Sequence, residues 1–227
     1  VQYEEREAKP IDGMTLSEEK AWMTRAKEDP EAFGRVFDAQ FPAIFSYLLH
    51  RTADAALAED LAAKTFFNAL RYVRRFRWSG VSVSSWLYRI AMNEVNSHLR
   101  KRRPLALDAF SDRLVDHRPG PEEALMRAEA ESEFLEVHAC IDRLKPDEQN
   151  LIVLRYFEDM PYAGIAAITG KKEGSLRMRT MRALEKLRKI FLQKGLDDER
   201  AGRLLAGGTE TRREVGFVPE QAEARSP

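Results

Sequence analysis

The chain has 227 residues, with 37 lysines and arginines against 37 aspartates and glutamates for a formal net charge of zero, and its length suits two compact domains with a linker and tails. Its single cysteine, Cys140, excludes an intramolecular disulfide, and no stretch has the apolar length of a membrane span or the pattern of a signal peptide, so the cytoplasm is the expected compartment without membrane insertion. His50, His98, His117 and His138 stand at no metal-ligand spacing; no metal or cofactor is expected, and each reads as an ordinary surface or half-buried histidine.

In chain order, the acidic segment 1–28 reads as an N-terminal extension. Asp29-Pro30 is a helix start, an acid able to cap followed by proline at the first helical position, and Phe33, Val36, Phe37 and Phe41 recur at helical spacing. Pro42 is expected to begin the next helix, with Ile44, Phe45, Leu48 and Leu49 as its apolar residues and an end near Arg51-Thr52. Asp54 can cap a long helix reaching about Arg75, with Leu57, Leu61, Phe66, Leu70 and Val73 as its apolar stripe. The aperiodic, Ser- and Gly-rich run from Arg77 to Ser85 predicts a loop, and Ser84 or Ser85 can cap a helix from Trp86 to Arg102 that Pro104 stops.

These elements make a first domain at 29–103. Residues 104–123, with Pro119-Gly120-Pro121, many acids and few large apolar side chains, have the composition of a flexible acidic linker. A second domain at 124–194 is predicted from helices at Ala124 to Leu144, Pro146 through Phe157, Pro161 to Thr169 and Gly174 to about Leu192, followed by a tail at 195–227. No strand-like alternation and no Gly-rich phosphate loop competes, so the fold class is all-α, two small helical domains.

The zero net charge conceals two basic blocks. Between Arg71 and Arg103 the only acid is Glu94, and between Lys171 and Lys194 the only acids are Glu173 and Glu185, a distribution suited to a polyanion held at two places. The run Pro161 to Arg179 has the layout of a helix-turn-helix: Ile165 and Ile168 face the core, Gly170 makes the turn, and Leu176, Ala183, Leu184 and Leu187 bury one side of the second helix. Ser175, Arg177, Met178, Arg179 and Arg182 are left exposed near the end that would enter a major groove, with Lys171 and Lys172 placed for phosphates. An amphipathic helix pair with a solvated arginine face would leave the same pattern.

In the first block Tyr72, Phe76, Trp78, Trp86 and Tyr88 are interleaved with arginines, the composition that holds unstacked bases on aromatic faces in a cationic groove. Phe76, Trp86 and Tyr88 also suit a core; Trp78, in a polar loop, does not. Together the blocks describe a protein that opens DNA while anchored beside it. No nucleophile has a nearby base, so an enzyme is not expected.

Several pieces of sequence resemble the extracytoplasmic-function (ECF) sigma factors: Ala58-Glu59-Asp60-Leu61 with Thr65-Phe66; Trp86-Leu87-Tyr88-Arg89-Ile90-Ala91-Met92-Asn93; and Leu154-Arg155-Tyr156-Phe157 followed by Tyr162, Ile165-Ala166, Gly170, Gly174-Ser175-Leu176-Arg177, Arg179 and Arg182-Ala183. The likeness covers about Ala32 to Arg103 and Phe134 to Phe191. It implies a sigma region 2 that docks Asp60, Leu61, Lys64, Thr65 and Phe66 on the β′ clamp helices of RNA polymerase core. It also implies that Arg77, Trp78, Ser79, Trp86, Arg89, Asn93, Arg100 and Arg103 bind the −10 DNA, the loop capturing a flipped base. Region 4 would bind the −35 duplex through Lys171, Lys172, Ser175, Arg177, Met178, Arg179 and Arg182, and would meet the β flap. The function implied is promoter-directed transcription initiation, with an anti-sigma factor as a further partner.

The chain departs from the family pattern at Ala63-Lys64, where a Gln-Glu pair is usual, at Ala163 and Gly164, which replace acids, and at Lys172, where a capping serine is common. Two other readings are a decoy that binds an anti-sigma factor but no promoter, and a helix-turn-helix regulator independent of polymerase.

Overall fold

The computed structural model describes residues 15–78, 80–102, 132 and 134–194. Helix α1 (Leu16–Arg25) opens with a capping box: Thr15 Oγ1 accepts from Glu18 N–H, and the Glu18 carboxylate accepts from Thr15 N–H. That backbone and hydroxyl pairing also holds the Glu18 carboxyl below the usual range. Although α1 lies in the segment read as an extension, its Met23 and the Ala26 that caps its end are buried in the core.

Helix α2 (Pro30–Thr52) is capped by Asp29, which accepts from Glu31 N–H at 2.9 Å. The expectation that Pro42 opens a separate helix is corrected, because Pro42 sits inside α2. Pro42 is exposed, so the backbone carbonyl it leaves without a helical donor lies toward water. An interior proline costs about 3 kcal/mol, whereas burying Ile44, Tyr47 and Leu48 on the same face as Val36 stabilises the continuous helix by about 2 kcal/mol for each side chain. The rings of Phe37, Phe41 and Phe45, with centroids 5.1 and 6.0 Å apart, run unbroken past the proline.

A left-handed Ala53 (φ 50°) ends α2, and Asp54 then caps α3 (Ala55–Tyr72) by accepting from Leu57 N–H at 3.0 Å. The buried side of α3 is Ala58, Leu61, Ala62, Thr65, Phe66 and Ala69, continued by Val73. Leu70, expected on that stripe, is 44% exposed instead, because Ala69 and Val73 occupy the inward side of the last turn. The chain tightens into a 3₁₀ turn (Val73–Arg75) and extends at Phe76.

Helix α4 (Val83–Arg102) starts three residues before the predicted Trp86. Its cap is Ser82, not Ser84 or Ser85: Ser82 Oγ accepts from Ser85 N–H at 3.2 Å. The early start brings Val83 onto one fully buried stripe with Leu87, Ala91 and Val95, each four residues after the last. Helices α2, α3 and α4 pack on one another, with α1 against α2.

The second half holds α5 (134–141), α6 (Pro146–Ile152), α7 (Tyr162–Thr169) and α8 (Glu173–Gln193). The helix predicted from Pro146 through Phe157 is α6 continued by a π-helical turn (Val153–Phe157), closed by Glu158 N–H to Val153 O at 3.0 Å. Ile141, Leu144, Ile152, Leu154, Ile165, Ile168, Leu176, Leu187 and Phe191 are its core. The linker, the tail and the beginning of the helix expected from Ala124 lie outside the described residues. Among the described residues no helix is long and apolar enough to cross a membrane.

The two halves dock through a polar seam. Arg51, the largest fully buried side chain, donates from Nε to Asn150 Oδ1 at 2.8 Å, from Nη1 to Gln149 Oε1 and from Nη2 to Asn96 Oδ1 at 3.2 Å. Tyr47 OH donates to the same Asn150 oxygen at 2.8 Å, and burial pushes its phenol up to about 12. Glu158 accepts from Ser46 Oγ at 2.8 Å and from Tyr88 OH at 3.2 Å.

His50 and His138, read as surface or half-buried, are each only 4% exposed; His50 lies against Phe134 and Phe157, and its Nδ1 is 3.5 Å from Glu158 Oε1. Burial pushes the His138 imidazole below its ordinary value, against the opposing carboxylate of Asp142.

Two outcomes follow from the seam. Arg51→Ala leaves Gln149 Oε1 without its buried donor and Asn150 Oδ1 with Tyr47 OH alone, and should lower unfolding free energy by about 3 kcal/mol in urea titrations. Folded His138 resists a proton that the unfolded chain takes up near 6.5. Its contribution is therefore present above that pH and lost as pH falls below it, so the urea midpoint should drop between pH 7.5 and 5.5, and the drop should shrink in His138→Leu.

Candidate nucleic-acid interface

Two adjoining clefts lie between the end of α3 and α4. Tyr72, Arg75, Phe76, Arg77, Val81, Trp86 and Arg89 line one of about 260 Å³; Asn68, Tyr72, Ile90, Asn93 and Glu94 line one of about 230 Å³. The first lies where the 3₁₀ turn and residues 76–78 and 80–82 join α3 to α4. Gly80, at φ 79°, supplies the left-handed residue that this path needs. Phe76 lies against Trp86 with ring centroids 4.7 Å apart and planes tilted by 54°, and meets Trp78 edge-on at 6.2 Å, so the aromatic wall is braced by its own rings. Three guanidinium groups against that wall can hold a flat, electron-rich ring attached to a phosphate backbone.

Of the residues expected at the −10 DNA, Arg77, Trp86 and Arg89 line the first cleft and Asn93 the second. Trp78 is half-buried behind Phe76, and Arg100 is exposed further along α4. Ser79 and Arg103 lie outside the described residues. Arg89 has a second engagement: Nε donates to Ile168 O at 2.8 Å and Nη2 to Ala167 O at 2.7 Å, at the carbonyl end of α7. Tyr72, Arg75 and Val81 were not among the residues expected at the −10 DNA, although the alternation of aromatic and basic residues through 71–89 was the signal that contained the first two.

The second region is α7, the turn at Gly170 (φ 69°) and α8. Ile165, Ile168, Leu176, Ala183 and Leu187 are buried as expected, and Ser175, Arg177, Met178, Arg179 and Arg182 are exposed on α8. The cations are loosely engaged: Lys171 Nζ is 2.7 Å and Arg179 Nη1 4.0 Å from Asp147, and Arg177 Nη2 is 3.6 Å from Glu173. Exposed pairs of this kind contribute about 0–1 kcal/mol and exchange readily for phosphate oxygens. Tyr162 lies between Arg155 and Arg177, whose guanidinium carbons are 5.2 and 4.7 Å from its ring centre. Sequence reasoning did not single out Asp147 or this aromatic contact.

Of the residues expected to meet polymerase, Asp60 and Lys64 are exposed on α3, while Leu61, Thr65 and Phe66 are buried, Thr65 Oγ1 donating back to Leu61 O at 2.7 Å. The last three therefore hold α3 to α2 and α4. The outer face of α3 carries Asp60, Ala63, Lys64, Phe67 (62% exposed) and Leu70, with Phe67 and Leu70 forming an apolar edge.

Fold and site together define an all-helical protein with an aromatic and cationic cleft in one half and a helix-turn-helix bearing exposed cations in the other. The sigma-70 region 2 family model matches residues 36–104, and the sigma-70 region 4 model matches residues 134–187. The chain is 28% identical over 166 residues to the ECF RNA polymerase sigma factor BldN of Streptomyces coelicolor, covering 72% of this chain and 61% of that protein. It is 32% identical over 158 residues to the RNA polymerase sigma-H factor of Pseudomonas aeruginosa, covering 65% of this chain and 80% of that protein. Among solved structures, CnrH in complex with the cytosolic domain of CnrY aligns with a TM-score of 0.58 at 19% identity, over 76% of this chain and 96% of that one. The chain belongs to the ECF family of sigma factors.

Lys172 stands at the cap of α8 with no side-chain hydrogen bond to the helix. The amides of Gly174 and Ser175 should exchange quickly in the free protein and become protected on −35 duplex. Lys172→Ser should protect them without DNA and add about 1 kcal/mol of stability.

Proposed function

We propose that this protein directs RNA polymerase core to specific promoters, region 2 melting the −10 element and region 4 holding the −35 duplex, and that it performs no bond chemistry itself. The observation that carries the reading is the presence, on one chain, of a braced aromatic and cationic cleft and of a separate helix-turn-helix with an exposed cationic helix end. Unpaired bases suit the first and a major groove the second.

In this reading Arg77, Trp86 and Arg89 receive a flipped base and its backbone, with Tyr72 and Arg75 added to the set. Asn93 reads beside them, Arg100 and Arg103 follow the backbone, and Trp78 braces Phe76. Lys171 and Lys172 hold phosphates while Ser175, Arg177, Met178, Arg179 and Arg182 face the groove. Core polymerase meets the outer face of α3 at Asp60, Lys64, Phe67 and Leu70, with Leu61, Thr65 and Phe66 supporting that face from inside; the β flap meets region 4. Arg89 must leave the α7 carbonyls to contact DNA, so promoter engagement parts the seam between the domains. An anti-sigma factor is the expected inhibitor, in keeping with the structurally similar sigma factor RpoE of Bartonella quintana, solved in complex with the anti-sigma factor NepR, and the cytoplasm is the expected site of action.

Transcription from a fragmented genomic library with purified core should give new discrete start sites sharing two upstream elements when the protein is added. Core binding without starts would support a decoy, and specific duplex binding without polymerase an ordinary helix-turn-helix regulator. Trp86→Ala and Arg179→Ala should each reduce start-site output at least tenfold, through opening and through initial binding respectively.

A further inference from the structure

Helix α1 precedes the segment matched by the region 2 model, which begins at residue 36. It carries a fully buried carboxylate, Glu19, one turn before Met23 on the face turned toward the bundle. A carboxylate withdrawn from water needs donors, and here one comes from 64 positions away: Val83 N–H donates to Glu19 Oε2 at 3.0 Å in a buried contact.

Val83 is the first residue of α4, and its amide is among those at a helix start that no carbonyl of the same helix can satisfy. The positive end of the helix dipole favours an anion there. The first turn of α4 is thus held twice, by Ser82 for the amide of Ser85 and by Glu19 for the amide of Val83.

What hangs from that point is the cleft. Phe76 is held by its N–H to Val73 O at 3.0 Å and Val83 by the Glu19 contact, with Arg77 and Val81 of the cleft between these two points in sequence and Trp86 one helical turn beyond. A shift at Val83 moves Val81 and Trp86 relative to Phe76, and so the width of the cleft.

We propose that Glu19 is a positioning residue for capture of the −10 strand, setting the start of α4 from a helix that does not itself touch DNA. This rests on the reading of the cleft as a base site.

The experiment uses holoenzyme reconstituted from core and the full chain, on a promoter mapped by its start sites and on a labelled single strand carrying that promoter's −10 element. Glu19→Ala should weaken single-strand binding and slow promoter opening roughly tenfold, leaving initial binding to the −35 duplex unchanged, because a buried amide loses its acceptor. Glu19→Gln, which keeps a carbonyl oxygen in place, should recover most of the loss.

Val83→Pro, which removes the donor at a position where proline is tolerated, should reproduce the defect. In that background Glu19→Ala should add little, since the two partners act through one contact. If Glu19→Ala proves too unstable to test, Glu19→Gln and Val83→Pro carry the comparison.

Unchanged opening in folded Glu19→Ala, or equal losses in single-strand and duplex binding, would overturn the proposal. Wild-type holoenzyme that fails to bind the strand, or a Trp86→Ala variant that binds it normally, would overturn the base-site reading itself.

Discussion

The guanidinium of Arg51 is the point on which the arrangement of this molecule turns. It is fully buried, and its donors reach Gln149 and Asn150 in one half and Asn96 in the other. It can do so only because α2 continues unbroken past Pro42, since Ser46, Tyr47, His50 and Arg51 all lie beyond the proline and a break there would aim them elsewhere. The π-helical turn performs the matching task on the other side, carrying the chain from α6 to Glu158, which receives Ser46 and Tyr88. A seam made of hydrogen bonds between neutral amides, hydroxyls and single charges holds a defined register. It can also rehydrate group by group when it opens, which an apolar interface of equal size resists.

The balance of charge follows the same logic. A chain with equal numbers of acids and bases presents cationic faces only if the acids are elsewhere, and the described part of the chain places Asp147 and Glu173 at the margin of the α8 face. These exposed pairs screen the cations at little energetic gain and release them to a denser anion at little cost. Deeper pairing would have fixed the same side chains in geometries unsuited to phosphate. Lys186 against Glu148 lies further along α8, where no DNA contact is expected and where the pairing ties α6 to α8.

The helices were legible in the sequence where a cap and a buried stripe agreed, as at Asp54 with Leu61 and Phe66, or at Gly170 between Ile168 and Leu176. Pro42 misled because local chemistry opposes what packing over a distance of many residues enforces. Ser84 and Ser85 misled because three serines nearby all suit a cap, and only the burial of Val83 with Leu87 selects Ser82. The contacts of Arg51, Glu158 and Glu19 could not be read at all, since each joins groups 45 or more positions apart and leaves no periodic trace.

On helix α3 the residues that carry the resemblance are mostly not the ones that face outward. The pattern that carried the likeness, Asp60-Leu61 with Thr65-Phe66, mixes one exposed acid with three side chains that point into the core. Buried positions are constrained by the shape of the bundle and therefore repeat in a recognisable spacing, whereas the outer face need only suit its partner. On that face Ala63 and Lys64 replace the usual pair, yet Phe67 and Leu70 stand exposed beside them. Two large apolar groups held against water by a rigid helix gain from a covering surface regardless of the charges alongside. The departure at Ala63-Lys64 thus alters the polar rim of the face and leaves the apolar edge of Phe67 and Leu70 in place.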